Sequence, residues 1–481
     1  MGVNLVDRRA ASLTDRGASV ITMLHLRPED EFLLLAHSAR TPMQIGALLR
    51  YGAPEGPTMP GSFVERAHAH LSQRLLATAL AQRLVPSPGH YDTDAWFGLA
   101  ALDIDRLVRV APQSHPMTAD ELHELVATEA KRELDLSGGP FRVLLVESLA
   151  DGGSAMLLQV HHTLCDGVGF QSIVTALSDP TPVPTDRPPL FAVDEAVPDD
   201  VSWIAQSDER FAREVEAARP ALEGRAAAKA ALAEFNDDPD HAPLRAPRIG
   251  ALVGPTSPRR SYDTLTLSLS EVRDMGRALG GTVNDVFLTV AGGALRSYLV
   301  DRGIDIPDEP MIALGSRSYR RPEHGDLGNY IIGIRPALGT HLADPRERLA
   351  AVKASAAIER RRSELQEPLM RVPDGPFKSR DRRERSANRG ERGDQRLGAN
   401  VVLSNVPGPA ETQWLAGFRQ ISNHPAPILG TSMLLNITLR RYGDSLDLGV
   451  MTDASKVPSA HAVSDHVRLA FAALRAALSY P

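Results

Sequence analysis

Two adjacent histidines, His161 and His162, with Asp166 and Gly167 close behind, are the residues of this chain best suited to do chemistry. An imidazole titrates near neutrality, so it can take a proton from an alcohol without an extreme environment. The run Met156-Leu-Leu-Gln-Val-His-His-Thr-Leu-Cys-Asp-Gly-Val-Gly-Phe170 reads as an apolar strand, two histidines and a tight turn. Neighbouring side chains on a strand point to opposite faces, so at most one of the pair can look into a reaction site. The other packs or hydrogen-bonds behind the sheet. Asp166 can fix a tautomer or lock the turn, and Gly167 lets the backbone approach closely. The plainer alternative is a structural histidine pair ending a strand. Cys165 invites a thioester-nucleophile reading, but a thiol needs a lowered pKa and an aligned base, and direct transfer needs no covalent intermediate. A metal site is not expected, because the two histidines diverge and no third ligand is spaced to join them.

The elements that must hold these residues follow from periodicity and punctuation. Residues 1–178 read as a mixed α/β unit, with helical spacing at 61–84 and 119–134 and strands at 45–51, 142–148 and 155–162. Residues 179–260 read as a proline-rich linker with a crossover helix: prolines 180, 182, 184, 188 and 189 precede an Ala/Glu/Arg-rich helical stretch at 201–235. A second α/β unit occupies 261–481, with a strand at 264–269, a helix at 270–279, then a helix opened by Asn284 and Asp285. Thr282 or Asn284 is the natural N-cap of that helix. Gly292 and Gly293 inside it cost helix stability, which implies close packing against a partner. Strand 399–403 leads into Ser404, Asn405 and a Pro-Gly-Pro turn. Asn436 and Thr438 alternate with Leu435, Ile437 and Leu439, so they share one strand face. That face either offers hydrogen bonds to an oxyanion or is satisfied structural polarity.

The histidine run resembles the HHxxxDG signature of acyltransferases related to chloramphenicol acetyltransferase and to peptide-synthetase condensation domains. Other blocks narrow the resemblance to the bacterial wax ester synthase/acyl-CoA:diacylglycerol acyltransferase family. They are Arg40-Thr-Pro-Met-Gln-Ile-Gly46, Leu134-Asp-Leu-Ser137, the helix from Thr282 to Leu299, Ser404-Asn-Val-Pro-Gly-Pro409 and Leu435-Asn-Ile-Thr438. The resemblance implies an α/β fold of two chloramphenicol-acetyltransferase-like halves flanking a central substrate channel. It implies that His162 is the general base, taking the proton of an acceptor hydroxyl that attacks the thioester of a long-chain acyl-CoA. His161, Asp166 and Gly167 then support the base, while Asn284, Asp285, Ser404, Asn405, Asn436 and Thr438 line the substrate side. Acyl-CoA is a substrate, and no cofactor is expected. The acceptor expected is a hydroxylated lipid, diacylglycerol or a fatty alcohol. The alternatives are an acyltransferase or condensation enzyme for a non-lipid alcohol or amine, and a catalytically weakened lipid-binding homologue.

Composition sets outer limits. The 481 residues carry a net charge of −7, which argues against a nucleic-acid partner. A single cysteine excludes an intrachain disulfide framework and suits a reducing, cytoplasmic setting. No apolar run approaches the ~18–20 residues of a spanning helix, so contact with a membrane or lipid droplet is expected to be peripheral. Two departures from the family pattern stand out. Pro140-Phe141-Arg142 replaces the usual Pro-Leu-Trp, and eight arginines fall between Arg371 and Arg396. That charged run, 371–397, reads as flexible and solvent-exposed, with Arg380, Arg382, Arg383 and Arg385 available to anionic headgroups.

Overall fold

A computed structural model describes residues 23–56, 60–89, 92–370, 380–387 and 398–479. Alternating apolar segments build two six-stranded sheets, one per lobe, and a small three-stranded sheet. In the first lobe the histidine strand, Ser154–His161, lies between Gln44–Pro54 and Phe141–Val146, antiparallel to both. All eight of its residues are buried. Leu158 and Val160 pack with Leu71 and Phe170 on one face, while Leu157 packs with Tyr262 and Met451 of the second lobe on the other. Two covered faces explain why this strand is apolar from Ala155 to Leu158 rather than alternating.

The second sheet runs Ile331–Ile334, Ala313–Ser318, Val401–Val406, Leu435–Tyr442, Ser445–Asp453 and Arg260–Ser268 in spatial order. Its main covering helix is Val283–Asp301, capped by Thr282 in a capping box with Asp285. A Cβ on Gly292 would lie 2.2 Å from the carbonyl oxygen of Leu338, so the glycine pair marks a close helix–chain approach, as its helix cost suggested. The sheets do not follow the chain break near residue 261. Trp414–Leu415 and Phe418–Ala426, late in the sequence, cross over and extend the first sheet beside Gln44–Pro54. This crossing stitches the lobes together through backbone hydrogen bonds.

Several expectations need adjusting. The helical stretch at 61–84 is a helix only over Phe63–Arg74, followed by a short turn at Leu75–Ala77 and an edge strand at Gln82–Val85. The Thr78 hydroxyl and N–H both bond the Leu75 carbonyl, which takes that acceptor out of a continuing helix. The crossover helix is real and long, Asp200–Asp237. The arginine-rich run also differs from a solvated tail where it is described. Arg380–Ala387 is a helix, with Arg380 paired to buried Asp94 at 2.8 Å and buried Arg383 donating to Glu31 at 2.9 Å. Buried carboxylates on the first lobe capture two of the four arginines offered to headgroups. Residues 371–379 and 388–397 lie outside the described residues. At the other departure, Arg142 is buried and ion-pairs with Glu129 at 3.0 Å. It also donates to the carbonyls of Glu129 and Arg132, closing the C-terminal end of helix Ala119–Glu129. Among the described residues no single helix is long and apolar enough to cross a membrane. A bent pair, Leu269–Ala278 and Val283–Asp301, passes that test together at an angle of 96°, but these helices bury their apolar residues in the core of the second lobe.

Candidate active site

His161 closes the strand opposite Gln44 and is 1% exposed. Its Nδ1 accepts the Thr163 N–H at 3.2 Å, so the ring proton sits on Nε2, which donates to His37 Nδ1 at 3.0 Å. His37 Nδ1 also accepts the Met43 N–H at 3.2 Å. Burial pushes the His161 pKa down to about 3, with His37 and His162 adding to the effect. This ring is neutral and both of its nitrogens are occupied.

His162 faces a different environment. Its N–H donates to Met43 O at 2.7 Å, and its carbonyl accepts Asn329 Nδ2 at 2.8 Å, so its backbone is held from both lobes. The side chain is half-buried: Nδ1 is enclosed without a hydrogen bond, and Nε2 remains accessible. Burial holds its pKa below the ordinary histidine value. Its own backbone, the Asp166 charge, the Cys165 backbone and the Asn329 side chain offset part of that shift. Near neutral pH this ring is a neutral base with one reachable nitrogen.

Asp166 is the N-cap of helix Gly167–Leu177, its Oδ1 accepting Val168 and Gly169 N–H at 3.0 Å each. Its Oδ2 meets Arg320 Nη2 at 3.0 Å and the Tyr330 N–H at 3.0 Å. Both oxygens are engaged, so the carboxylate locks the turn. Arg320 belongs to a second-lobe loop, residues 319–330, which also sends the Gly328 N–H to Leu164 O at 2.8 Å and takes the Asp166 N–H on Gly328 O at 3.3 Å. The loop lies so close that a Cβ on Gly169 would sit 2.0 Å from Asp326 O. Gly167 meets only the side chain of Val406, at 3.0 Å. The tight backbone approach expected at Gly167 therefore falls at Gly169. Cys165 is fully buried, and burial with the neighbouring Asp166 charge raises its thiol pKa well above the usual range. That is the wrong direction for a nucleophile.

The remaining predicted residues form separate small groups. Asn405 Nδ2 contacts Asn284 Oδ1 at 3.4 Å, joining the Val401–Val406 strand to the start of the Val283–Asp301 helix. Asp285 is buried, and its Oδ2 accepts the N–H and hydroxyl of Thr282 at 2.8 Å each. Thr438 donates to Asn436 Oδ1 at 2.9 Å, and Asn436 Nδ2 donates to Ile428 O at 2.6 Å. Ser404 sits opposite Thr438 in the parallel ladder. No hydrogen bond links these six residues to either histidine among the described residues. The structure brings in residues the sequence did not single out: Asp30, His37, Arg320 and Asn329. Their distance along the chain hides them; Asn329 is visible only as one polar residue between two strands.

A histidine turn gripped between two lobes, each built on a mixed α/β sheet, defines an acyltransferase of the HHxxxDG class. The chain belongs to the wax ester synthase/diacylglycerol acyltransferase family: the family's catalytic domain matches residues 26–287 and its C-terminal domain matches residues 327–475. A putative diacylglycerol O-acyltransferase of Mycobacterium tuberculosis is 26% identical over 475 residues, covering 91% of this chain and 94% of the relative. The wax ester synthase/diacylglycerol acyltransferase of Marinobacter aquaeolei VT8 has the same fold, with a TM-score of 0.68 at 23% identity, over 95% of this chain and 100% of that one. The starter condensation domain of rhizomide synthetase, solved with C8-CoA, is a more distant structural likeness, with a TM-score of 0.52 at 12% identity over 95% of each chain.

Proposed function

We propose that this protein is an O-acyltransferase that moves a long-chain acyl group from acyl-CoA to the hydroxyl of a lipid acceptor, diacylglycerol or a fatty alcohol, with His162 as the general base. The observation that carries the reading is the asymmetry of the histidine pair: His161 is neutral with both nitrogens occupied, while His162 keeps an accessible Nε2. In the reaction, Nε2 takes the acceptor hydroxyl proton as the oxygen attacks the thioester carbonyl. The tetrahedral adduct then expels the CoA thiolate, which recovers that proton to give ester and free CoA. His161, Asp166 and Gly167 hold the turn. We assign the Asn284–Asn405 contact to the acceptor side. Asp285, Ser404, Asn436 and Thr438 support that wall. Family membership and the relatives' described activities support the choice of donor and acceptor class.

The test is free-CoA release from a long-chain acyl-CoA against fatty alcohol, diacylglycerol, and small polar alcohols and amines, with wild type and His162→Ala. Ester formation on the lipid acceptors, reduced to under a tenth in the variant, is expected, because a general base contributes roughly 10²–10⁴ in rate. Turnover only on small amines or polar alcohols would move the protein to the non-lipid reading. A variant that keeps more than a tenth of wild-type turnover would remove His162 as the base.

A further inference from the structure

Helix Pro28–Leu35 of the first lobe is bonded to the surroundings of both histidines. Within it, the Asp30 carbonyl accepts the Thr163 hydroxyl at 2.7 Å, and Asp30 Oδ1 accepts the N–H and Nδ2 of Asn329 at 2.6 and 2.9 Å. The same Nδ2 donates to the His162 carbonyl at 2.8 Å. Just before the helix, Arg27 Nη1 donates to the Asn329 carbonyl at 2.6 Å. Just after it comes His37, whose Nδ1 lies 3.0 Å from His161 Nε2. The helix thus brackets the pair from one side. Glu31, next to Asp30, is 1% exposed. A carboxylate that deeply buried needs a cation beside it. The cation is Arg383, itself buried, which meets Glu31 with two nitrogens: Nε to Oε2 at 2.5 Å and Nη2 to Oε1 at 2.9 Å. Arg383 Nη2 also donates to the Asp92 carbonyl at 2.8 Å, and Arg380 pairs with Asp94 at 2.8 Å. Helix Arg380–Ala387 is therefore fastened to the outer side of the helix that brackets the histidines.

We propose that Arg383 is a positioning residue for acyl transfer: through Glu31 it fixes helix Pro28–Leu35, and through that helix the turn that carries His162. The contacts run without a gap, from Arg383 to Glu31, from the adjacent Asp30 to Thr163 and Asn329, and from Asn329 to the His162 backbone. Adjacent side chains diverge by about 100° around a helix, so Asp30 faces the turn while Glu31 faces the arginine. A planar guanidinium on a carboxylate through two nitrogens sets orientation as well as distance. Burial raises the Glu31 pKa, and the Arg383 contact is the first influence opposing that shift. Arg382 and Arg385 of the same short helix are exposed, so its inner face is the one that fastens. Loosening helix Pro28–Leu35 would let water reach the enclosed side of the His162 ring. Burial is the largest influence lowering that ring's pKa, so hydration moves it back up towards 6.5. Positioning therefore has a signature that a plain loss of stability lacks.

This inference rests on His162 being the base, and the experiment separates the two. Steady-state rates across pH are measured for wild type, Arg383→Leu, Glu31→Gln, Arg74→Leu and His162→Ala, each well below its own melting temperature. Arg74 pairs with buried Asp179 elsewhere in the first lobe, so Arg74→Leu removes a comparable buried ion pair. Arg383→Leu is expected to lose roughly tenfold in kcat while the KM for acyl-CoA stays within about twofold, because the base is misaligned but the donor site is intact. The acid limb of its kcat/KM profile is expected to move up by about half a unit or more. Arg74→Leu is expected to melt lower yet keep the wild-type limb and kcat. Glu31→Gln keeps an acceptor for the guanidinium and loses the charge, so it is expected to show the changes of Arg383→Leu at smaller size. If Arg383→Leu does not fold, Glu31→Gln decides the matter alone. An unmoved limb or wild-type kcat in the deciding variant, or the same losses in Arg74→Leu, with His162→Ala inactive, overturns the positioning role and leaves the base assignment standing. An active His162→Ala overturns the base assignment itself.

Discussion

The histidine turn and the polar groups around Asn436 and Asp285 in the second lobe are both partly or fully buried and both marked in the sequence, yet they are finished differently. In the second-lobe group, Thr438 bonds Asn436, Asn436 bonds the Ile428 carbonyl, and Asp285 closes a capping box with Thr282. Its polar groups largely satisfy one another. At the turn, the second-lobe loop engages Asp166, Leu164 and the His162 backbone, and a single ring is left with an open nitrogen. Polarity alone does not mark a reactive site. What distinguishes the turn is a histidine ring with one reachable nitrogen, held by a loop of the other lobe whose Asn329 Oδ1, like the ring's own Nδ1, is left enclosed without a partner.

The comparison breaks most severely if the network is cut. Arg320→Leu leaves the buried Asp166 carboxylate without its cation, which costs about 3–5 kcal/mol for a buried pair. A large fall in melting temperature is expected, with weaker loss in Asp166→Asn, which keeps part of the cap. An Arg320→Leu protein as stable as wild type would mean the loop is not what holds the turn.

A smaller effect sharpens the contrast between the two histidines. The folded pKa of His161 lies near 3, against an ordinary value of 6.5, so the folded state binds fewer protons than the unfolded chain between those limits. Its contribution to stability is complete above pH 6.5 and is lost as pH falls through that window. His161→Gln should therefore flatten the acid side of a melting-temperature profile, at some cost in stability at neutral pH. An unchanged acid slope would place the sensitivity elsewhere, with His37 next to be tested.

The smallest effects belong to the wall and to the thiol. Asn436→Ala should cost about 1 kcal/mol for the lost hydrogen bonds and change turnover by no more than a few-fold. Cys165→Ala should stay active, since its buried thiol is held protonated. Acyl label trapped on Cys165 during turnover would replace direct transfer with a covalent mechanism.

Much of this was legible in the sequence where the signal is local. The strand carrying His161, the crossover helix and a cap at Thr282 or Asn284, which the structure places at Thr282, follow from periodicity and capping chemistry, and the motif itself follows from residue type and spacing. What was not legible depends on contacts between distant segments. Asp166 and Arg320 are 154 residues apart, and Asn329 and Asp30 are 299 apart, so no window of sequence contains either pair. The crossing of Phe418–Ala426 into the first sheet is hidden for the same reason. Arginines 380 and 383 were misjudged because composition cannot reveal a buried carboxylate waiting on the other lobe.

The account rests on His162 acting as a neutral base whose pKa burial has lowered. The most direct measurement is the pH dependence of kcat/KM for acyl transfer, which reports the ionisation of the free enzyme. The expected profile rises with a single inflection below 6.5 and is level through neutral pH. An inflection above 6.5, or a rate independent of pH across the acid range, would contradict a desolvated His162 as the group that takes the acceptor proton.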